Sequence, residues 1–350
     1  MGSAFLRLRE PALALATGLL GGLAGNGFGL PLGWLLGAMF ATAAAAVAGL
    51  EPMVPNVLRR AVITVLGLLI GGSFEAHRLA GLHLWLPSLA LLAAYVLLVG
   101  AMSLWYLRRW AGLRPYTAFF AAAPGGLSEM VMLSDRMGAD MRAVALVHAT
   151  RVLLIVSLAP LFVGTLGGGP APPGAGAMPL PGDLAILAAA GLAGAFAARF
   201  LSLPAAELLG PMVLSAGLHL SGVVTADVPY AVVVFAQITI GAAIGSRFRD
   251  LGWARIVHHL FAGLGLTALM FALTLVFALL LHRTTGLPFL ALVLAYMPGG
   301  VVEMSTVALA LAVDPAFVAT HHAVRIALVV LLAPLLFPLW RRWQQPSRES

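Results

Sequence analysis

Long apolar stretches alternate with short polar segments along the whole chain, and these stretches determine the expected fold. Ten of them approach the roughly 20 residues that an α-helix needs to cross a lipid bilayer. They cover residues 11–27, 31–50, 57–74, 84–107, 142–165, 183–200, 204–222, 229–247, 257–281 and 316–340. This pattern predicts an all-α polytopic membrane protein.

The second half of the chain repeats the first. The string Pro-Gly-Gly-Leu-Ser-Glu-Met at 124–130 returns 174 residues later as Pro-Gly-Gly-Val-Val-Glu-Met at 298–304. Three polar positions recur at the same spacing: Asp140 as Asp314, His148 as His322, and Arg151 as Arg325. We therefore divide the chain into a first membrane repeat (1–165), a Pro/Gly-rich linker (166–182), a second membrane repeat (183–340) and a tail (341–350).

Each repeat contains one more apolar segment, which its Pro-Gly-Gly string interrupts, at 115–136 and 288–311. Proline lacks an amide hydrogen and glycine adds no side-chain restraint, so a continuous helix is not expected there. Such a segment either crosses the membrane or enters and leaves by the same face as a re-entrant hairpin.

The distribution of arginines distinguishes these two topologies. Re-entrant hairpins place sixteen of the eighteen arginines other than Arg151 and Arg325 on the side of the N-terminus, whereas crossing segments give eleven and seven. Basic residues concentrate on the cytoplasmic side of a membrane protein. The sequence therefore predicts two inverted repeats of about five transmembrane helices plus one broken, re-entrant Pro-Gly-Gly hairpin each. Both termini are then cytoplasmic and the linker is periplasmic.

Composition agrees with a membrane protein and excludes several other classes. Hydrophobic residues make up 61% and charged residues 9% of the 350, with a mean hydropathy of +1.01, which is more apolar surface than one soluble core could bury. The net charge of +7 comes from arginines scattered at helix ends, so no nucleic-acid-binding patch is expected. The absence of cysteine excludes disulfides and thiolate metal ligands. The first apolar stretch resembles a signal peptide, but its counterpart in the second repeat is retained, which favours a membrane helix.

Two arginines fall deep inside apolar stretches. A charge at such depth costs several kcal/mol and is normally paired or lines a polar cavity. We predict that each pairs with the glutamate of its own hairpin, Glu129 with Arg151 and Glu303 with Arg325. A histidine three residues before each arginine lies on the same helix face. These are His148 and His322.

The broken hairpins and these charges form the predicted site. A break exposes amides at the start of one half-helix, which attract anions, and carbonyls at the end of the other, which suit cations. The predicted substrate- and ion-binding residues are Pro124, Gly125, Gly126, Ser128, Glu129, His148, Arg151, Pro298, Gly299, Gly300, Glu303, His322 and Arg325. The alternative is that the Glu–Arg pairs only hold each hairpin in place.

Other polar residues have simpler interpretations. Asp140 and Asp314 precede helices and are predicted to cap them. Glu207 and Gln237 occur only in the second half and are secondary candidates for the transport path. His321 adjoins His322 but points about 100° away from it on a helix, so the two do not face one ligand.

The repeated Pro-Gly-Gly-x-x-Glu-Met string, the His-x-x-Arg pair and the near full-length duplication resemble the bacterial AbrB-duplication membrane family. That family is labelled as a regulator of gene expression or as an ammonia monooxygenase, and is distinct from the soluble DNA-binding AbrB. The architecture is also similar to that of cation/proton antiporters and anion transporters with inverted repeats and interrupted helices.

Three functions follow from these observations. The first is an inner-membrane secondary transporter of a small solute, coupled to an ion or proton. The second is a membrane protein that affects gene expression indirectly, and the third is an ammonia monooxygenase-like enzyme. We favour a transporter that is not an enzyme, with no catalytic residue, cofactor or metal site. Its expected partners are the lipid bilayer, the solute and a coupling ion, without direct nucleic-acid contact; a homodimer is left open.

Overall fold

The computed structural model describes residues 2–74, 82–166, 180–226, 228–249 and 253–344. These ranges form fourteen α-helices, and they contain no β-strand. The helices are α1 (Gly2–Gly27), α2 (Gly33–Val47), α3 (Asn56–Gly72), α4 (Leu86–Arg109), α5 (Pro115–Ala122), α6 (Leu127–Arg136), α7 (Met141–Thr165), α8 (Pro181–Phe200), α9 (Ala206–Leu220), α10 (Tyr230–Gly245), α11 (Trp253–Thr285), α12 (Phe289–Tyr296), α13 (Val301–Ala310) and α14 (Pro315–Gln344). The predicted all-α polytopic class is confirmed.

Local sequence signals account for several helix boundaries. Proline, which needs no amide partner in a first helical turn, lies at the start of α5 and α8. Asp140 and Asp314 cap α7 and α14, each carboxylate accepting two backbone N–H groups of the first turn. The capping prediction is therefore confirmed. Helix α14 continues through residues 341–344, so the predicted tail begins as helix, and its remaining residues lie outside the described ranges.

The backbone conformation repeats between the two halves. Left-handed residues occur at equivalent positions even where the amino acids differ, which makes the sequence repeat a structural repeat. The equivalent pairs are Gly29 with Ser202, Leu32 with Ala205, Gly49 with Gly222, Gly112 with Gly286, and Gly138 with Ala312. Among the described residues only Gly126 is left-handed without a left-handed counterpart.

Glycines allow the first two helices of each half to cross at close range. A Cβ added to Gly37 of α2 would overlap the carbonyl oxygen of Gly21 in α1. The equivalent crossing of α8 and α9 has the same geometry, because a Cβ on Gly210 would overlap the carbonyl oxygen of Gly194. Only residues without a side chain permit backbones to approach this closely.

The two halves interlock through reciprocal contacts. Gly67 of α3 lies against the backbone of Leu208 in α9, and Gly241 of α10 lies against the backbone of Leu35 in α2. Each contact is the repeat-related copy of the other, as in a two-fold arrangement of like units. This interface places the third helix of each half beside the second helix of the other.

Side-chain contacts show that the first Pro-Gly-Gly segment is re-entrant. The Thr117 hydroxyl near the start of α5 accepts the backbone N–H of Asp140, which precedes α7. Farther along, Ala123 lies beside Arg151, so α5 runs parallel to α7. Helix α6 must then return to the start of α7 through residues 137–140. Hence α5 and α6 enter and leave at the same end.

The second segment follows the same course. Leu294 and Met297 accept hydrogen bonds from His322 and Arg325, in register with the first hairpin. The half-helices of 8 and 10 residues are roughly 12–15 Å long, about half of the bilayer's hydrocarbon thickness. Six of the described helices are long and apolar enough to cross a membrane. Outside the hairpins each half has five helices among the described residues, and inverted repeats require an odd number.

The orientation itself can be measured with cysteines, because the chain contains none. We expect Ala175→Cys in the linker to react with a membrane-impermeant maleimide in spheroplasts. Ser347→Cys in the tail should react only after the membrane is permeabilised. Positions 167–179, including this linker site, lie outside the described residues, so its location is a prediction from arginine distribution. Labelling of both positions from the same side would contradict inverted repeats.

Candidate functional site

The two broken hairpins meet at one cavity. Its volume is about 240 Å³, and both glycine pairs, Gly125–Gly126 and Gly299–Gly300, contribute to its wall. Gly125 also contacts the other half directly, since a Cβ at this position would lie 3.5 Å from Arg325 Nε. The charged residues that line the cavity are Arg59, Arg151, Glu207, Arg247 and Glu303. The glycine pairs of the two predicted hairpins and Glu303 are thus brought together at one cavity.

Each deeply buried arginine binds the end of a half-helix. Arg151 is 1% exposed and donates from Nη1 to the carbonyl oxygen of Ala123, where α5 ends, at 2.7 Å. Arg325 is 0% exposed and donates to the carbonyls of Met297 and Gly299 after α12. These carbonyls have no helical partner, and the negative end of a helix dipole favours a cation. Both arginines therefore stabilise the unwound segments.

The two histidines complete the same arrangement. His148 Nε2 lies 3.0 Å from the Phe120 carbonyl oxygen, and its Nδ1 lies 2.9 Å from Arg151 Nη2. His322 makes the equivalent contacts with Leu294 and Arg325. A carbonyl only accepts and a guanidinium only donates, so Nε2 must donate and Nδ1 must accept. These hydrogen bonds assign both imidazoles the neutral form.

The predicted pairing of Glu303 with Arg325 is wrong. Glu303 Oε1 lies 3.7 Å from Nη2 of Arg247, two residues after the end of α10, and the two side chains are 10% and 21% exposed. Arg325 instead satisfies backbone carbonyls. The Glu303 carboxylate folds back over Gly300, filling the space that a side chain there would need. Its negative charge is therefore next to the positive end of α13.

Several other predicted positions have distinct outcomes. The side chains of Ser128 and Glu129 lie outside the described part of the structure, so the Glu129–Arg151 pair stays a prediction. Pro124 and Pro298 are buried within the breaks. Of the secondary candidates, Glu207 lines the cavity, whereas Gln237 is buried elsewhere.

His321 belongs to a different polar cluster from His322. Its Nε2 lies 2.7 Å from the Ser88 hydroxyl, and the Tyr296 hydroxyl donates to the Ser88 carbonyl oxygen. These contacts join α4, α12 and α14. The prediction that the adjacent histidines face different ligands is confirmed.

Sequence reasoning assigned Arg59 and Arg247 only to membrane topology. In the structure both line the cavity, and Arg247 holds the Glu303 carboxylate. A usable signal was present: Arg247 is the last residue of the apolar stretch 229–247, whose Gly241 and Gly245 pack closely on α2. Such close packing fixes the end of α10 next to the second hairpin.

Comparison with known proteins identifies the family. Residues 34–341 match the family described as transition state regulatory protein AbrB. The chain belongs to the AbrB family. One relative is the uncharacterized protein YhjN of Bacillus subtilis (strain 168), 28% identical over 357 residues that cover 93% of this chain and 91% of the relative. A second, described as a regulator AbrB in Escherichia coli (strain K12), is 27% identical over 317 residues, 88% of this chain and 89% of the relative.

Proposed function

We propose that this AbrB-family protein is a secondary transporter of a small solute, coupled to an ion or proton. One observation carries the proposal: both broken hairpins, from repeat-related positions of the two halves, line a single cavity. Paired half-helix breaks facing one site are the arrangement by which secondary transporters bind solutes near the bilayer midplane. The proposed location is the bacterial inner membrane, with both termini cytoplasmic.

The cavity has the properties expected of such a site. Irregular backbone at membrane depth is tolerated where it is buried in protein or lines a cavity, and both breaks satisfy this condition. A volume of about 240 Å³ is below the roughly 300–1,000 Å³ of pockets for drug-sized ligands. The site therefore suits a small metabolite, and binding or transport requires no cofactor.

Glu303 is the proposed coupling residue. Its carboxylate is at the cavity wall and is held by Arg247. Protonation or cation binding at this carboxylate would weaken its attraction to Arg247 and release the contact between α13 and α10. The histidines His148 and His322 cannot serve this purpose while their hydrogen bonds persist, because both ring nitrogens are occupied.

The test is coupled uptake in proteoliposomes that contain the pH-sensitive dye pyranine. A panel of small carboxylates, phosphate, amino acids and ammonium is added outside under an imposed pH or sodium gradient. We expect Glu303→Gln to reduce coupled uptake at least about tenfold, a change of about 1.4 kcal/mol in the barrier. The neutral amide keeps the side chain's shape but cannot exchange a proton or hold Arg247 as strongly.

Glu51→Gln provides the matched control, because Glu51 is exposed in the loop between α2 and α3. It should transport like the wild type. Undiminished uptake in a Glu129→Gln/Glu303→Gln double variant would show that neither hairpin carboxylate couples transport to the gradient.

The names of the family and of the E. coli relative favour a second function, a role in gene regulation. We propose that any such effect is indirect and results from altered solute levels, without nucleic-acid contact. A change in gene expression that persists unaltered in the Glu303→Gln variant would instead support signalling independent of transport. Enzymatic activity is not part of the proposal, and a homodimer stays a prediction.

A further inference from the structure

We infer that His321 binds a proton during transport, at a site outside the cavity. The inference rests on the proposed transport function, since it names a proton as the coupling ion. His321 is 0% exposed within α14 and is not among the residues that line the cavity. An ionisable side chain inside a membrane helix is a candidate functional site, and proton relays are among the known uses.

The hydrogen bonds of His321 accommodate two protonation states. Its Nδ1 lies 2.8 Å from the Phe317 carbonyl oxygen, which only accepts, so Nδ1 carries a hydrogen. Its Nε2 lies 2.7 Å from the Ser88 hydroxyl, and the same hydroxyl lies 2.8 Å from the Trp85 carbonyl oxygen. A hydroxyl has one hydrogen to donate and two lone pairs that accept. Ser88 can therefore donate to the imidazole or accept from it.

Addition of a proton reverses one hydrogen bond and leaves each of these polar groups with a partner. In the neutral form the Ser88 hydroxyl donates to Nε2. A proton from bulk hydronium adds to the Nε2 lone pair, the new N–H donates to the Ser88 oxygen, and the hydroxyl donates to the Trp85 carbonyl instead. Both arrangements use the same interatomic distances. The proton can therefore bind and leave without rearrangement of the backbone.

The two histidines of the hairpins lack this property. Nδ1 of His148 and Nδ1 of His322 each face a guanidinium group, which only donates. A second ring proton would place two donors against each other, beside the positive charge of Arg151 or Arg325. Among these three histidines, His321 is the one that can bind a proton and keep its contacts.

Aromatic rings border the imidazole and favour its charged form. The Phe317 ring centroid lies 4.0 Å from that of His321, and the rings of Tyr296 and Trp85 lie at 6.2 and 6.4 Å. A cation within about 6 Å of a ring centroid is attracted by the ring face. This attraction and the two acceptors oppose the cost of burying the charge.

No described carboxylate or guanidinium is among the hydrogen-bond or ring partners of His321. The groups that face it from α4 and α12 are Ser88 and Tyr296. The other titratable groups on α14 and on the segments packed against it are Arg59 and Arg60 on α3, His83 before α4, Tyr95, Tyr106, Arg108 and Arg109 on α4, Tyr116 on α5, Glu303 on α13, and Asp314, His322, Arg325, Arg341 and Arg342 on α14. The imidazole is thus not held charged by an ion pair with any described residue.

The proton site is connected to the second hairpin. Tyr296, the last residue of α12, donates from its hydroxyl to the Ser88 carbonyl oxygen. The next carbonyl along the chain, that of Met297, accepts from Arg325, and Gly299 lines the cavity. A charge on His321 therefore acts beside the half-helix that leads to the cavity.

The site occurs in one repeat only. The positions equivalent to His321 and Ser88 in the other repeat are Val147 and Ala262, although α7 and α11 also pack on each other. The helix packing therefore does not require the polar pair. His321 is six residues after the start of α14, about 9 Å along the helix axis. In the proposed topology this end of α14 is periplasmic.

The protonation state can be measured by solid-state NMR of full-length protein in lipid bilayers, with nitrogen-15 in the histidine rings. We expect the His321 signal, identified by its loss in His321→Gln, to change from the neutral to the charged pattern between about pH 8 and 5. The signals of His148 and His322 should stay neutral. Ser88→Ala removes the acceptor for Nε2–H, so the ratio of charged to neutral His321 at a given pH should fall roughly tenfold.

Uptake in the pyranine-containing proteoliposomes tests the role in coupling. We expect His321→Gln, which can still bond to Ser88 but cannot bind a proton, to reduce uptake driven by a pH gradient at least about tenfold. The control His83→Gln removes an exposed histidine two residues before Trp85. It should leave both the titration of His321 and the uptake unchanged.

Three outcomes would overturn the inference: a His321 ring that stays neutral down to about pH 5, uptake driven by sodium alone, or pH-driven uptake unchanged in His321→Gln. If His321→Gln does not fold, the wild-type titration and Ser88→Ala decide. Titration of His321 without uptake of any solute would refute transport alone. Proton-driven uptake with a His321 that never becomes charged would refute the proton site alone.

Discussion

Replacing Arg325 by glutamine is expected to destabilise the protein by several kcal/mol, because each buried hydrogen-bond acceptor left unsatisfied costs roughly 1–3 kcal/mol. The guanidinium satisfies the carbonyls of Met297 and Gly299 and donates to His322 Nδ1, all without solvent access. Glutamine is shorter and has one amide group, so at least one buried carbonyl would lose its donor, at about 1–3 kcal/mol each. We expect low yield and a lower unfolding midpoint in detergent.

Two further variants separate geometry from charge. Arg325→Lys keeps the positive charge but cannot direct planar donors at two carbonyls and an imidazole at once, so its stability should fall between those of glutamine and wild type. Arg341→Gln, an exposed position on the same helix, should unfold like the wild type. Full stability in Arg325→Gln would show that the hairpin break does not depend on this arginine.

Gly37→Val is expected to prevent correct folding. A side chain at this position would overlap the carbonyl oxygen of Gly21, and backbone atoms cannot rotate out of the way as a side chain can. Separating α1 from α2 would also disturb the packing of α2 on α10. We expect a loss of at least about 3 kcal/mol, the upper end of the usual range for overpacking, seen as aggregation on size-exclusion chromatography.

The structure offers a matched glycine for comparison. Gly100 lies within α4 and has open space where a side chain would go, so Gly100→Val should elute as a single peak like the wild type. The repeat-related Gly210→Val should fail as Gly37→Val does. Monodisperse, stable Gly37→Val protein would mean that α1 and α2 do not cross as closely as described.

Much of the fold could be predicted because it depends on the identity of side chains, which the sequence gives directly. Apolar length predicts membrane helices, and the repeated strings at 124–130 and 298–304 predict the duplication. The Pro-Gly-Gly strings also mark where the helices break. The distribution of arginines favours re-entrant hairpins over crossing segments. The hydrogen bond between Thr117 and Asp140 agrees with this prediction.

The partners of the buried arginines could not be predicted in the same way. Carboxylates can be recognised in a sequence as candidate partners for Arg325. Backbone carbonyls cannot, because every residue has one and the sequence does not show which of them lack a helical partner. Only the broken ends of α5 and α12 make particular carbonyls available. Because Arg325 binds these carbonyls, Glu303 pairs with Arg247 instead. Arg247 lies 56 positions earlier in the chain, and tertiary packing brings it to the hairpin.

The two hairpins differ in backbone conformation at the second glycine of the Pro-Gly-Gly string. Gly126 has φ 60°, and its counterpart Gly300 has φ −76°, a value open to any residue. The two repeats thus differ in backbone conformation at the cavity itself. Because the two hairpins have related sequences but different backbone conformations at this glycine, each hairpin can in principle adopt the conformation of the other, which gives two states of the protein. In that exchanged state Gly300 would become left-handed, which glycine alone does readily.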